Sequence, residues 1–118
     1  MKVDCIFCRI VAGEIPSQAV SETDRVLAFR DINPAAPHHI LVIPKQHIAD
    51  SLVDLNLDDP EAAGIWAEMI RVVQTVTKGV DFGDGWRLVS NIGEDGRQSV
   101  WHLHVHVLAG RLFGWPPG

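Results

Sequence analysis

Residues 101–110 read WHLHVHVLAG, and this alternation constrains the fold more than any other stretch. Side chains on a β-strand point alternately to opposite faces. Written as a strand, the segment places His102, His104 and His106 on one face and Leu103, Val105 and Val107 on the other. The apolar face can anchor in a core while the imidazole row is presented on a rigid, central support. A period of two is not the signature of an amphipathic helix, so the chain needs a sheet around this segment.

The surrounding sequence supplies one. RVLAFRDI (25–32) has β character and is broken by NPAAP. HILVIP (39–44) is a β-rich run ended by Pro44, and a short run lies near Ala19–Ser21. WRLVSN (86–91) reads as a further strand, and VWHLHVHVLA (100–109) as the longest. Between them a helix is expected from Pro60 to Lys78, with Asp59 as N-cap, Pro60 at N1 and Gly79 past the C-terminus. Ala62, Ile65, Trp66, Met69, Val72, Val73 and Val76 form its apolar stripe, and Glu61, Glu68, Arg71 and Lys78 face away. Residues 4–12, DCIFCRIVA, have helical spacing, with Gly13 as C-cap. Strands with hairpin-length connections around one long helix define an α+β fold with an antiparallel sheet of about five strands. No glycine-rich dinucleotide or phosphate-loop fingerprint argues for a doubly wound alternative.

At 118 residues the chain makes one domain, 1–118, with 110–118 as a tail too rich in Gly and Pro to continue a strand. Its net charge is −5 and its Lys and Arg residues are scattered, so a footprint for a nucleic-acid backbone is missing. No apolar run approaches the length of a bilayer span. The N-terminus lacks a secretory h-region with a small-residue cleavage site, and the expectation is a cytoplasmic protein. In that compartment the two cysteines, Cys5 and Cys8, read as metal or redox chemistry rather than as a disulfide.

The residues alone leave three readings of the histidine row open: a solvated polar face, a three-ring metal site, or acid–base and nucleophilic catalysis by the side chain that titrates near neutral pH. Cys5 and Cys8 are either half of a zinc site or two small buried thiols one helical turn apart. The loop NIGEDGRQS (91–99) is either a plain connection or, through its glycines, a place where backbone approaches a phosphate. The apolar residues around it could be ordinary core.

His-φ-His-φ-His-φ-φ, with φ apolar, is met by His102 through Leu108, and it resembles the signature of the histidine triad superfamily of nucleotide hydrolases and transferases. GEIPS, VLAFRDINPAAPHHILVIPKQHI, NIGEDGRQSVWHLHVHVLAGR and the closing WPPG resemble its Hint branch, over nearly the whole chain. The resemblance implies a purine nucleoside phosphoramidase that cleaves P–N bonds through a covalent nucleotidyl-histidine. It makes His104 the nucleophile, with His106, His39 and Ser99 assisting. Asn91, Gln98, Ser99 and the backbone at Val100 would meet the phosphate or leaving group. Asp31 would bind the ribose hydroxyls, and Ile6, Phe7, Ile10, Phe29, Ile32 and Leu41 would line the purine pocket. His38 matches no family histidine and is expected as an exposed loop residue.

The same resemblance completes a structural zinc site, Cys5, Cys8, His47 and His102, and implies that no metal is required at the phosphate. It implies a two-fold homodimer with a continuous sheet and the long helix at the interface, and a tail whose Trp115 reaches toward the partner's site. The competing functions are a dinucleoside polyphosphate hydrolase on the same scaffold, and a nucleotide-binding interaction protein with little turnover.

Overall fold

The computed structural model describes residues 5–118. A short helix, α1 (Ile6–Val11), is followed by strands β1 (Ala19–Glu22), β2 (Val26–Arg30) and β3 (His38–Pro44). The long helix α2 (Pro60–Val76) comes next, then β4 (Trp86–Val89) and β5 (Val105–Ala109). The five strands form one antiparallel sheet in the order β1-β2-β3-β5-β4. The α+β fold expected from the sequence is the fold observed. Asp4, at the start of the expected first helix, lies outside the described residues.

The central strands are covered on both faces. Val26, Ala28, Ile40, Val42, Val105, Val107 and Ala109 pack with Ala62, Met69, Val72 and Val73 of α2. On the opposite face Leu27, Phe29, Leu41 and Ile43 pack with Cys5, Phe7 and Cys8 at α1. This explains why β2 and β3 read as near-continuous apolar runs. The register then assigns the histidines to a face. Leu41 pairs with His106 and His39 with Leu108, so His39 and His106 share the α1 side of the sheet.

The ends of α2 follow local chemistry. The Asp59 side chain accepts a hydrogen bond from the Glu61 amide at 3.2 Å, and Pro60 occupies the first turn. The helix closes at Thr77, two residues before the expected glycine cap. The Thr77 hydroxyl donates to the Val73 carbonyl at 2.7 Å, giving the last turn a partner that Gly79 was expected to supply. At the end of β5, Gly110 has φ +103°, and a Cβ there would lie 2.7 Å from Pro37 Cβ. Only glycine lets the chain turn at this approach.

The main departure from the sequence reading concerns the histidine strand. β3, with seven residues, is the longest strand, whereas β5 begins only at Val105. Residues 100–104 leave the sheet because their partners lie elsewhere. The Leu103 amide donates to the Ala49 carbonyl at 2.9 Å, and the Pro44 carbonyl is taken by the ring of His102. β4 likewise ends at Val89, two residues early. His38 opens β3 instead of lying in an exposed loop, and its ring stacks on Phe82 at 5.5 Å.

Met69 is fully buried in the middle of the α2 stripe. Met69→Ala is expected to cost about 2–5 kcal/mol, because the surrounding sheet and helix cannot collapse onto the cavity. Urea denaturation checks this, and a loss below ~1 kcal/mol would mean that α2 is not seated on the sheet as described.

Candidate active site and metal centre

Cys5 and Cys8 begin α1. Cys5 is the N-cap, its Sγ accepting from the Cys8 amide at 3.3 Å. His47 arrives from the loop after β3, and His102 from the bend before β5. One donor atom from each of the four lies within 4.8 Å of the others. His102 Nδ1 is 3.2 Å from Cys5 Sγ and 3.5 Å from Cys8 Sγ, and His47 Nδ1 is 3.6 Å from Cys8 Sγ. A tetrahedral zinc with bonds of about 2.3 Å to sulfur and 2.0–2.1 Å to nitrogen separates S from N by about 3.5 Å.

The other nitrogen of each ring is already engaged. His102 Nε2 donates to the Pro44 carbonyl at 2.8 Å, and His47 Nε2 to Asp50 Oδ1 at 2.7 Å. With those nitrogens carrying the protons, both rings present a bare Nδ1 to the sulfurs, the outer partnership that a metal-ligating histidine needs. Burial lowers the His102 pKa to about 4, keeping the ring neutral. The residues fit zinc.

His104 is buried beside this centre. Its Nδ1–H donates to the His102 carbonyl at 2.7 Å, which leaves the Nε2 lone pair free. Burial holds its pKa below the ordinary histidine value, the backbone hydrogen bond and the Asp31 charge opposing that shift. The result is a neutral imidazole with one bare nitrogen, the form a nucleophile requires.

Next to it lies a relay of opposite polarity. The Ala35 amide donates to His39 Nδ1 at 2.9 Å, which forces the proton of a neutral His39 onto Nε2. Nε2 faces His106 Nδ1 at 2.9 Å and donates to it. His106 must then carry its own proton on Nε2, as a hydrogen-bond donor. Asp31 Oδ2 lies 3.5 Å from His39 Nε2, while Oδ1 accepts from the Asn33 amide at 2.8 Å. Asp31, His39 and His106 thus bring three potential metal ligands together. Yet the Ala35 amide occupies the nitrogen whose protonation would free His39 Nε2 for a cation. This cluster is wired for proton donation.

A cavity of about 260 Å³ opens onto His104 and His106. Ile6, Phe7, Ile10, Phe29, Asp31, Ile32, Leu41, Ser99 and Val100 all line it, joined by Ile15, Pro16, Ser17, Arg30 and Asn33. Ile32 is 88 % exposed, an apolar rim open to solvent. Asn91, Gln98 and Trp115 are not on this wall. The Asn91 side-chain Nδ2 donates to the Gly96 carbonyl at 2.7 Å. Gln98 is buried, donates to the Asp50 and Val100 carbonyls and accepts from the Gly93 amide, so both residues brace the loop. Trp115 is 82 % exposed and lies 6.0 Å from the Arg87 guanidinium.

The sequence reading missed Ala35, seen only as part of a strand-breaking segment, because a backbone donor has no side-chain signature. It also missed Asp50. There the spacing His47-x-x-Asp50 was a usable signal for a carboxylate behind a metal-binding ring.

This fold is that of the histidine triad proteins. The HIT domain family matches residues 12–112, and the chain belongs to that family. A 14 kDa zinc-binding protein of Zea mays is 48% identical over 113 residues, covering 96% of this chain and 87% of its own. An Arabidopsis thaliana protein named adenylylsulfatase HINT1 is 44% identical, covering 96% of this chain and 76% of its own. A HIT family hydrolase from Legionella pneumophila superposes with a TM-score of 0.87 at 44% identity, covering 98% of this chain and 100% of its own.

Two outcomes are expected. Metal analysis of the purified protein should find about one zinc per chain, unchanged in His39→Ala and lost in Cys5→Ser/Cys8→Ser. A second zinc that disappears with His39 would refute the relay assignment. The second outcome concerns pH. Burial lowers the His106 pKa from 6.5 to about 4. The unfolded chain therefore takes up this proton first, and the ring's contribution to stability is lost as pH falls from about 6.5 toward 4. Urea unfolding over that range should show a shallower decline for His106→Gln than for the parent.

Proposed function

We infer that the protein is a purine nucleoside phosphoramidase, hydrolysing the P–N bond between a nucleoside 5′-phosphate and an amine. The observation that carries this reading is the opposed polarity of adjacent rings: a bare Nε2 on His104 beside a donating Nε2–H on His106, at the mouth of an apolar cavity.

The apolar wall from Ile6 to Leu41 takes the purine, and Asp31 takes the ribose hydroxyls. The His104 Nε2 lone pair attacks the phosphorus, and the P–N bond breaks. The amine leaves with a proton passed on by the Ser99 hydroxyl, which regains one from water. His104 is now a nucleotidyl-imidazolium whose Nδ1–H bond to the His102 carbonyl is strengthened by the charge. His106 donates to a phosphoryl oxygen throughout. Water then attacks phosphorus and gives up a proton to solvent, balancing the one that Ser99 regained; the N–P bond breaks, and His104 returns to its neutral form. Two easier displacements replace one difficult one. Fixed donors do the work of charge stabilisation, so the phosphate needs no divalent cation.

Zinc would be held by Cys5, Cys8, His47 and His102 and, with four protein ligands, would supply a structural cross-link. The reading includes a homodimer in which Trp115 approaches the partner's cavity.

A second reading keeps the adenylyl group and changes the leaving group. The name of the Arabidopsis relative points to an adenylyl–sulfate linkage. In this reading the cavity wall takes the base and phosphate ends of the substrate and leaves the leaving group open.

The test is turnover of a fluorogenic adenosine 5′-phosphoramidate. His104→Ala should lose on the order of 10⁴-fold or more in kcat. Quenched wild-type enzyme should carry a nucleotidyl adduct on His104 by intact mass and peptide mapping. No turnover by a folded, zinc-loaded wild type would overturn the phosphoramidase reading. Turnover of adenylyl sulfate in its place would establish the second.

The acid limb of kcat/KM should lie below the ordinary histidine range, because burial depresses the His104 pKa. An acid limb at or above pH ~6.5 would contradict the neutral, desolvated ring.

A further inference from the structure

The helix that supplies two metal ligands also supplies part of the cavity wall. In α1, Cys5 and Cys8 turn toward His47 and His102, while Ile6, Phe7 and Ile10 line the cavity. The Phe7 ring sits between the two functions. It makes edge contacts with His102 at 5.8 Å, with His104 at 5.1 Å and with Phe29 at 5.8 Å.

α1 has six residues, too few to hold helical structure by itself. Within the helix only Phe7 and Cys8 are buried, and Ile6 is 44% exposed. Its hold on the sheet therefore rests on Phe7 and the two thiols, with the partly buried Ile10 and Val11 packed beside them. From the far side, His102 contributes its ring to the metal cluster and its carbonyl to His104 Nδ1. Whatever fixes the four ligands fixes the base-contacting wall and the nucleophile together.

We propose that the metal centre and the nucleotide cavity are one coupled unit, in which zinc on Cys5, Cys8, His47 and His102 sets the affinity for a purine nucleotide by latching α1 against the sheet. The two states are α1 latched, with Ile6, Phe7 and Ile10 forming the wall, and α1 released, with that wall incomplete. His102 is a positioning residue in the same unit, holding His104 through its carbonyl. The inference rests on the nucleotide reading of the cavity. Coupling of binding free energies is reciprocal, so nucleotide must raise zinc affinity by the factor by which zinc raises nucleotide affinity.

The experiment is calorimetric titration of AMP into zinc-loaded protein and into chelator-stripped protein, with free zinc held low by a competing chelator. Ribose 5-phosphate, which lacks the base, is the companion probe. AMP affinity is expected to fall by about fivefold or more on stripping and to return on reloading. Ribose 5-phosphate, which does not touch α1's apolar wall, should change less. Zinc competition titrations with saturating AMP should show the same factor. Phe7→Leu, which keeps all four ligands, should shrink it.

The side-chain methyl signal of Met69, on the opposite face of the sheet, reports the remainder of the fold. It should be unmoved by stripping while the signals of Ile6 and Ile10 shift. Equal AMP affinity with and without zinc overturns the coupling and leaves the nucleotide reading standing. Loss of the Met69 signal together with AMP binding overturns it as well, since zinc would then support the whole fold rather than one wall. Failure of AMP to bind the zinc-loaded protein overturns the nucleotide reading itself, and the coupling with it.

Discussion

The 2.7 Å hydrogen bond from His104 Nδ1 to the His102 carbonyl decides what chemistry this chain can do. An imidazole has two nearly equivalent nitrogens, and only one acceptor in the right place settles which of them is bare. That acceptor is a backbone atom of a residue whose own ring is held by the Pro44 carbonyl and faces two thiols. The carbonyl therefore cannot drift without disturbing the metal cluster. The departure of residues 100–104 from the sheet, which shortens β5, makes this arrangement possible. A regular strand would send the His102 carbonyl into the β-ladder.

The same side chain is arranged in three ways here because its surroundings differ in donor and acceptor. Where acceptors sit behind the ring, as Asp50 and the Pro44 carbonyl do, the front nitrogen is a ligand for a soft cation. Where an amide sits behind it, as Ala35 does for His39, the front nitrogen is a donor. Burial lowers the pKa of His39, His102, His104 and His106, so these assignments hold for neutral rings near pH 7. Neutrality near pH 7 costs the protein stability in acid, and the cost falls on the histidine cluster beside the cavity.

Much of this was visible in the sequence; apart from Asp50, whose spacing from His47 was a usable signal, what was hidden has a common cause. The apolar runs of β2 and β3, the stripe and N-cap of α2, and the glycine that closes α1 are local patterns, and each was placed within about two residues. The metal cluster and the cavity wall came from motif resemblance, which carries residue identities across long separations that periodicity cannot span. Ala35, the carbonyls of Pro44 and Ala49, and the bracing role of Gln98 were hidden because they involve backbone atoms. A backbone amide or carbonyl is present at almost every position, so its use leaves no mark on residue type. The true start of β5 was hidden for the same reason: alternation marks where side chains point, not which amide pairs with which carbonyl.

One consequence of the metal cluster concerns the order in which the chain acquires its parts. Cys5 and His102 are 97 positions apart in sequence. The ligand from the last strand segment is therefore absent until nearly the entire domain has been synthesised and threaded into its sheet. Closing so long a loop costs only logarithmically more than closing a short one, but it requires the intervening topology to be correct. Capture of a metal by all four residues would in this sense be a late event. In the proposed reading it follows insertion of β5 between β3 and β4 and precedes orientation of His104, so a half-assembled chain would carry the histidines without the chemistry.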